Sequence, residues 1–337
     1  MKNTSFIVLS LCSTLLFAPA ASAADLYWYP SAPSQGGNGT WNTTLTNWNP
    51  NSDGSGSPAV WTNSNSDDAI FGGTAGTVTA SVPVTTRSLS FSNSGYILTG
   101  SSLTLAGTGG GGIHVASGIT TVSNVLSSSL QITKTGSGTL SLSGANTLSG
   151  GIYLQQGAMQ TTGASGILGS TTLRMSDGTT LISTVASSAS VGPTRVVGDG
   201  YLIDNGATVT FNTTYSGTAS TANNIFAGDA SYGNSVTLIK TGQGTLQLNQ
   251  GSGNFGATTA NTWRVDGGML RLNNNDRLGA TSNQILLNGG GITLFGSFTI
   301  GRTITLTHLL HFEGMKLASA RFLQRGSGEA AVADSKM

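Results

Sequence analysis

Residues 134–142 read KTGSGTLSL, and residues 240–248 read KTGQGTLQL. The two stretches are offset by 106 residues and are identical at seven of nine positions. Recurrence of one sequence pattern along a chain indicates an architecture built from stacked structural units. The positions that define the repeat motif are Lys134, Gly136, Gly138, Leu140, Leu142, Lys240, Gly242, Gly244, Leu246 and Leu248.

Apolar and polar residues alternate around each copy. Leu140-Ser141-Leu142 and Ile152-Tyr153-Leu154 have the period of two that is typical of short, half-buried strands. Turn signals such as Gly150-Gly151 separate them. The pattern predicts an all-β chain of short strands joined at tight corners.

The composition agrees with this prediction. Gly, Thr, Ser and Asn account for 164 of 337 residues, whereas only 8% of residues are charged. The net charge is +1, with 14 basic and 13 acidic residues spread along the chain, so no long-range positive field favours nucleic-acid binding. Scarcity of helix-forming residues between Lys2 and Lys316 makes a helical middle region untenable.

Two all-β architectures fit these features, a β-sandwich and a parallel β-helix, or β-solenoid. We favour the solenoid because the repeats stay in order, because Gly and Asn occur at corners, and because the repeats contain few aromatic residues. In a solenoid a thin column of Leu, Ile and Val closes the core. We expect the polar Thr, Ser and Asn side chains to face solvent in ladders.

The chain divides into four predicted regions. Residues 1–23 have the features of a secretory signal peptide, with Ala21 and Ala23 marking the cleavage site. Residues 24–95 contain four of the five tryptophans and are predicted to form an N-terminal cap. Residues 96–307 form the predicted β-helix, with repeats near 132–160 and 238–271. Residues 308–337 form an atypical tail that we interpret as truncated or non-native sequence.

Residues 134–160, KTGSGTLSLSGANTLSGGIYLQQGAMQ, resemble the autotransporter-associated β-strand repeat of bacterial autotransporter passenger domains. Leu148 and Ile152 stand where the typical pattern has an aromatic residue and a Thr. The resemblance implies a right-handed parallel β-helix exposed at or beyond the outer membrane. It implies no single activity, since such stalks carry adhesion, autoaggregation or appended enzymes.

Candidate catalytic residues are sparse. His114 is the one histidine between residues 24 and 307, and its position between Ile113 and Val115 predicts an outward-facing side chain. Paired carboxylates for polysaccharide cleavage would have to come from six aspartates. Several of these precede Gly, where Asp favours turns. They are Asp177, Asp199, Asp204, Asp229, Asp266 and Asp276.

Three further patterns admit a functional and a structural interpretation. Asp67 and Asp68, near Asn63 and Asn65, offer oxygen ligands for Ca²⁺ but lack the spacing of a calcium loop. Residues 107–112, GTGGGG, match a dinucleotide pattern but precede a predicted strand rather than a helix. The tryptophans of the cap suit either sugar stacking or packing over the first coil, and packing is the simpler role.

These observations predict a secreted or surface-exposed, adhesin-like β-helical stalk that acts through multivalent contacts. No catalytic residue, cofactor or metal is assigned. The expected partner is a surface ligand, either glycan or protein, or a second copy of the chain, with no nucleic acid and no membrane span once the signal is removed. The alternatives are a polysaccharide-cleaving β-helix enzyme and a non-functional fragment of a larger surface protein.

Overall fold

The computed structural model describes residues 23–65, 67–107, 111–162, 168, 172–184, 194–195, 200–214, 223–226, 229–232, 235–248, 261–272, 274, 278–294 and 300–307. The predicted signal peptide, apart from Ala23, and the predicted tail at 308–337 lie outside the described residues.

Every named element in these ranges is a β-strand. The first ten are β1 (Asp25–Trp28), β2 (Gly39–Trp41), β3 (Trp48–Asn49), β4 (Asp68–Phe71), β5 (Thr77–Ala80), β6 (Val84–Thr86), β7 (Ser88–Phe91), β8 (Ile97–Gly100), β9 (Leu103–Leu105) and β10 (Gly111–Val115). The next ten are β11 (Ile119–Val122), β12 (Leu126–Ser128), β13 (Ile132–Thr135), β14 (Thr139–Leu142), β15 (Thr147–Leu148), β16 (Ile152–Leu154), β17 (Ala158–Thr161), β18 (Thr172–Met175), β19 (Thr180–Ser183) and β20 (Thr194–Arg195). The last eleven are β21 (Gly200–Ile203), β22 (Thr208–Thr213), β23 (Asn223–Phe226), β24 (Asp229–Tyr232), β25 (Thr237–Thr241), β26 (Thr245–Leu248), β27 (Thr262–Val265), β28 (Met269–Leu272), β29 (Gln284–Leu287), β30 (Gly291–Leu294) and β31 (Ile304–Leu306).

The strands stack coil upon coil into long parallel sheets. The first face is a ten-stranded sheet in the order β24-β21-β18-β16-β13-β10-β7-β4-β1-β3. The second face is a twelve-stranded sheet that runs from β2 through β5, β8, β11 and onward to β31. The third strand of a coil joins a four-stranded sheet (β6, β9, β12, β15) or, later in the chain, a five-stranded one (β20, β23, β26, β28, β30). The predicted all-β parallel β-solenoid is therefore confirmed, and the β-sandwich alternative is wrong.

Alternation along each strand builds the core. In β10, Ile113 and Val115 are buried while His114 between them is exposed. Each inward residue lies against its register partners in the coils before and after, as Leu89 does with Ile113. Burial of one such side chain contributes about 1.5–3 kcal/mol to the stability of the fold. The summed contribution of many thin coils therefore takes the place of a single thick hydrophobic core.

The N-terminal end of the solenoid is closed by backbone pairing and by aromatic rings. Strand β3 pairs antiparallel with β1 and covers the outer edge of the first face. Trp28, Trp41, Trp48 and Trp61 are completely buried and contact one another, with centroids 4.7–5.0 Å apart in four pairs. Residues 24–95 contain this cluster as well as strands of all three faces, so the division at residue 95 stays a prediction.

Asparagine side chains line several corners from the inside. Asn146 Oδ1 accepts a hydrogen bond of 2.8 Å from Leu126 N, one coil earlier. Asn261 Oδ1 accepts from Val236 N at 2.9 Å, and Asn283 Oδ1 accepts from Asn261 N at 2.9 Å. All three asparagines are at most 5% exposed. The expectation that Asn faces solvent is wrong at these positions, because turning strands leave backbone N–H groups that the side chain satisfies.

Candidate functional site

The first copy of the repeat motif forms a corner closed by a buried lysine. Lys134 is 0% exposed and lies in the inward column between Ile113 of β10 and Leu154 of β16. Its Nζ donates to the carbonyl oxygens of Gly136 (2.8 Å), Gly138 (2.8 Å) and Gln156 (3.0 Å). The three donors of an ammonium are thereby satisfied by three backbone acceptors.

The second copy repeats this arrangement. Lys240 is also 0% exposed, and its Nζ donates to the carbonyl oxygens of Thr241 (2.6 Å), Gly242 (2.9 Å) and Gly267 (3.0 Å). In both copies one acceptor is the first glycine of the motif and another belongs to the corner of the next coil. Each lysine therefore ties two successive coils together.

Burial lowers the pKa of both lysines to about 8, because the charged form loses contact with water. At neutral pH the ammonium form still predominates. The carbonyl oxygens supply the partial negative charge that holds it inside.

Glycine is required at the turn itself. Gly136 and Gly242 have φ of +78° and +75°, in the left-handed region. A Cβ atom at either position would lie 2.2 Å from Val115 O or 2.3 Å from Thr213 O. The motif glycines thus allow close approach of one coil to the preceding one.

The remaining motif positions lie inside the column or at the same corner. Leu140, Leu142 and Leu246 are at most 1% exposed, and Gly138 and Gly244 are buried. Leu248 pairs with Leu272 across β26 and β28, although its side chain lies outside the described set.

The two copies do not occupy the same faces. Lys134 lies on β13 of the first face, and its corner leads into β14 of the second face. Lys240 lies on β25 of the second face, and its corner leads into β26 of the five-stranded sheet. The same motif therefore builds a corner at two different positions around the solenoid.

Polar side chains form columns on the outside of the first face. Ser90, His114 and Thr135 are register partners in successive coils, and His114 Nδ1 lies 3.0 Å from Thr135 Oγ1. A second column contains Tyr153 and Arg174, with the Arg174 guanidinium 4.4 Å from the Tyr153 ring centroid. Neighbouring strands lie about 4.8 Å apart, so these side chains form a continuous surface.

An ion pair extends this surface into the next coil. Arg174 Nε donates to Asp204 Oδ1 at 2.7 Å, and Ser176 Oγ donates to Asp204 Oδ2 at 2.8 Å. Burial opposes ionisation of Asp204, but these hydrogen bonds and the nearby positive charge lower its pKa overall.

The aspartates proposed for polysaccharide cleavage are engaged separately. Asp177 Oδ1 accepts a 2.7 Å hydrogen bond from Thr208 N, which is the turn role predicted for it. Asp266 pairs with Arg264 at 2.8 Å, and Asp204 pairs with Arg174. Asp199 and Asp276, and the side chain of Asp229, lie outside the described residues.

Three aspartates surround one arginine near the N-terminus. Arg87 Nε donates to Asp68 Oδ1 at 2.9 Å, and the pKa of Arg87 is raised, chiefly by Asp68 and further by Asp25 and Asp67. Asp67 Oδ1 accepts from Ala24 N at 2.9 Å. Asp67 and Asp68 are only 4% and 8% exposed. Asp67, Asp68 and Arg87 therefore lie close together, as the acidic and basic residues of a polysaccharide-cleaving site would. However, both buried carboxylates are occupied by structural hydrogen bonds.

The calcium ligands suggested by the sequence do not converge. The Asn63 side chain bonds Pro83 O and Thr85 N rather than turning toward Asp67 or Asp68. Across the described ranges, no group of three His, Cys, Asp or Glu residues is placed to hold a metal ion.

The glycine-rich stretch and the tryptophans have structural roles. Residues 111–115 form strand β10, so the glycines precede a strand as the sequence predicted, although residues 108–110 lie outside the described set. Complete burial of the four tryptophans of the cap rules out sugar stacking on their faces and confirms the packing role.

Burial of the motif lysines was not predicted from the sequence. The signal was present in the alternation, because Lys134 lies two residues after the inward-facing Ile132. Backbone carbonyl acceptors make the interior position possible for a charged side chain.

Comparison with known families and proteins agrees with this geometry. The family described as passenger-associated-transport-repeat matches residues 132–160. The resemblance to autotransporter passenger sequences is therefore confirmed, and the match begins at β13 and ends within β17.

A similar curated protein is the Adhesin BmaC autotransporter of Brucella suis biovar 1 (strain 1330). The two sequences are 47% identical over 137 residues, which cover 40% of this chain and 4% of that adhesin. The chain thus spans a small fraction of its relative's length. No solved structure matches. The described ranges contain no helix that is long and apolar enough to cross a membrane.

Proposed function

We propose that this chain is a secreted or surface-exposed, adhesin-like β-helical stalk that acts through many weak polar contacts rather than through catalysis. The observation that carries the proposal is the outer surface of the first face, where polar side chains recur in register from coil to coil. The passenger repeat at 132–160 and the relatedness to an autotransporter adhesin support a location at or beyond the cell surface.

Multivalency follows from this geometry. Each outward side chain makes only a weak contact, but parallel stacking fixes the next one about 4.8 Å away. Linked weak contacts act together through a high effective concentration, so overall binding exceeds any single contact by orders of magnitude. The ligand class that fits is a repeating glycan or the polar surface of another protein, including a second copy of this chain.

The test is density-dependent binding. Beads that display residues 24–337 at low and high density are applied to a glycan array and to beads that carry the same chain. We expect capture to rise more steeply than in proportion to density on at least one of these surfaces. Absence of capture at every density would contradict the proposal.

Matched variants locate the binding surface. Replacing His114, Tyr153 and Arg174 by Ala removes outward side chains of the first face and is expected to reduce capture. The control replaces Thr77 and Thr79, which are exposed on the second face, by Ala and should leave capture unchanged.

The enzyme alternative is tested in parallel. Incubation with soluble polysaccharides should release no reducing ends and no unsaturated uronates. Sustained release that is abolished in an Asp204→Asn or Asp266→Asn variant would support a polysaccharide-cleaving enzyme instead. Absence of a cooperative unfolding transition would support the third alternative, a non-functional fragment.

A further inference from the structure

Both backbone groups of Ala24 are held by Asp67 and Asp68, where the chain enters strand β4 of the first face. Ala24 N donates to Asp67 Oδ1 at 2.9 Å, and Ala24 O accepts from Asp68 N at 2.8 Å. The contact spans 43 residues of sequence and places β1 alongside β4, with Asp25 opposite Asp68.

Asp67 is held rigidly in this position. It is 4% exposed, and its own carbonyl oxygen accepts from Arg87 N at 2.9 Å and from Thr86 Oγ1 at 2.8 Å. The Arg87 guanidinium donates to the neighbouring Asp68. A carboxylate forms a stronger hydrogen bond with an ammonium group than with a neutral amide N–H, because both partners are then charged.

The bond predicted to be cut during secretion lies directly before this contact. Ala21 and Ala23 mark a cleavage site, and hydrolysis of the Ala23–Ala24 peptide bond consumes one water. The products are a carboxylate on Ala23 and an α-amino group on Ala24, which is protonated at neutral pH.

We propose that Asp67 is the binding site for the mature N-terminus, and that signal removal converts its hydrogen bond to Ala24 into an ion pair that locks the first coil. Before cleavage, Ala24 offers one neutral N–H. After cleavage it offers an ammonium to a carboxylate already positioned 2.9 Å away. Trp28 lies at the other end of β1, so the lock fixes the strand that leads into the tryptophan cluster.

This inference rests on cleavage after Ala23 and is independent of the ligand-binding proposal. The first experiment expresses residues 1–337 with export and measures the intact mass of the secreted protein. We expect a chain that begins at Ala24. A mature chain that begins elsewhere would overturn the proposal.

The second experiment is a double-mutant-type cycle on residues 24–337, in which N-terminal acetylation and the Asp67→Asn substitution are made separately and together. The protein is released from a fusion by a protease that leaves no extra residue, and its N-terminus is left free or acetylated. At pH 6.5 we expect the free amine to favour the folded state by about tenfold over the acetylated form, equivalent to about one unit of pKa. Asp67→Asn should abolish this difference, whereas Asp25→Asn, at the exposed neighbouring carboxylate, should retain it.

The pH dependence gives a second readout. The charged groups around the N-terminus are Asp67 directly before β4, Asp68 at the start of β4, Arg87 between β6 and β7, and Asp25 on β1. Pairing raises the amine pKa in the folded state, so the advantage is complete below about pH 7.7 and is lost as the pH rises through the folded value. Equal stability of free and acetylated wild-type chains across this range would overturn the proposal, even if the Asp67→Asn variant does not fold.

Discussion

Lys134 and Lys240 make equivalent contacts, although 106 residues and one face of the solenoid separate them. Each is fully buried, and each donates to three carbonyl oxygens that include the first motif glycine and a residue of the next coil. The repeat motif is therefore a self-contained corner. Its sequence specifies how the chain turns and how two coils are joined, not which faces the corner connects.

The glycine of this corner is expected to be far less replaceable than an ordinary turn glycine. Gly136→Ala forces a left-handed φ and a contact of 2.2 Å with Val115 O, so we expect a loss of at least about 3 kcal/mol. Gly178 has a similar φ of +71° but open space around it, and Gly178→Ala should cost only about 1–2 kcal/mol. Urea denaturation followed by circular dichroism measures both. Equal costs would show that the close approach of coils is unimportant.

Removing the buried ammonium should destabilise the solenoid despite the gain of an apolar side chain. Lys134→Met leaves three carbonyl oxygens without the Nζ donor, and we expect a loss of about 2–4 kcal/mol in unfolding free energy. Arg174→Met is the control, since the Arg174 side chain is 42% exposed and its ion pair with Asp204 contributes about 1 kcal/mol or less. A stable or stabilised Lys134→Met variant would contradict the proposed role of the lysine.

Stability should increase with pH in the mildly alkaline range. The lysine pKa values are about 8 in the folded protein and about 10.4 when unfolded, so between these values the unfolded state binds more protons. We expect a gain of about 1 kcal/mol per pH unit for each lysine between pH 8 and 10. The raised pKa of Tyr96, about 12, acts in the opposite direction above pH 10, because the unfolded tyrosine ionises first.

The control for this pH dependence is the double variant Lys134→Met and Lys240→Met. Its stability should be nearly flat from pH 8 to 10 in the same denaturation assay. A wild-type profile that is equally flat would mean that the lysines are not held in a desolvated state.

The tryptophan cluster should act as one packed unit. Trp61 lies 4.9 Å from Trp41 and 4.7 Å from Trp48 between ring centroids, so Trp61→Ala should cost about 3–5 kcal/mol and weaken the near-ultraviolet dichroism strongly. Trp263 is equally buried but lies beside Phe211 in a different part of the chain. Trp263→Ala should therefore preserve most of the dichroism. Comparable spectral losses in the two variants would contradict a single N-terminal cluster.

Much of the fold could be predicted because it depends on local signals. Alternation in Ile113-His114-Val115 gives the strand and its buried side, and glycine at 136 gives the turn. The order of the repeats favoured stacking over a sandwich. Packing was also predicted correctly for the four N-terminal tryptophans. The first coil of a stacked column has no preceding coil to cover its apolar core, and large aromatic rings suit that role.

The remaining features depend on distances that the motif does not encode. Coil length is not constant: register partners are 20 residues apart at Ile132 and Ile152 but 30 apart at Leu181 and Phe211. The two motif copies therefore come to lie on different faces. Burial of Lys134 depends on the Gln156 carbonyl one coil later. The Ala24–Asp67 contact joins residues 43 positions apart, and no short pattern indicates it.

Disulfide cross-linking tests the stacked parallel register most directly. The sole cysteine is Cys12, so residues 24–337 provide a cysteine-free background. Thr133 and Tyr153 are register partners on adjacent coils, within the Cα separation that a disulfide spans. Thr133→Cys combined with Tyr153→Cys should therefore oxidise to an intramolecular disulfide. Thr133→Cys with Arg174→Cys, two coils or about 9.6 Å apart, should not. Cross-linking of the second pair instead of the first would contradict the solenoid.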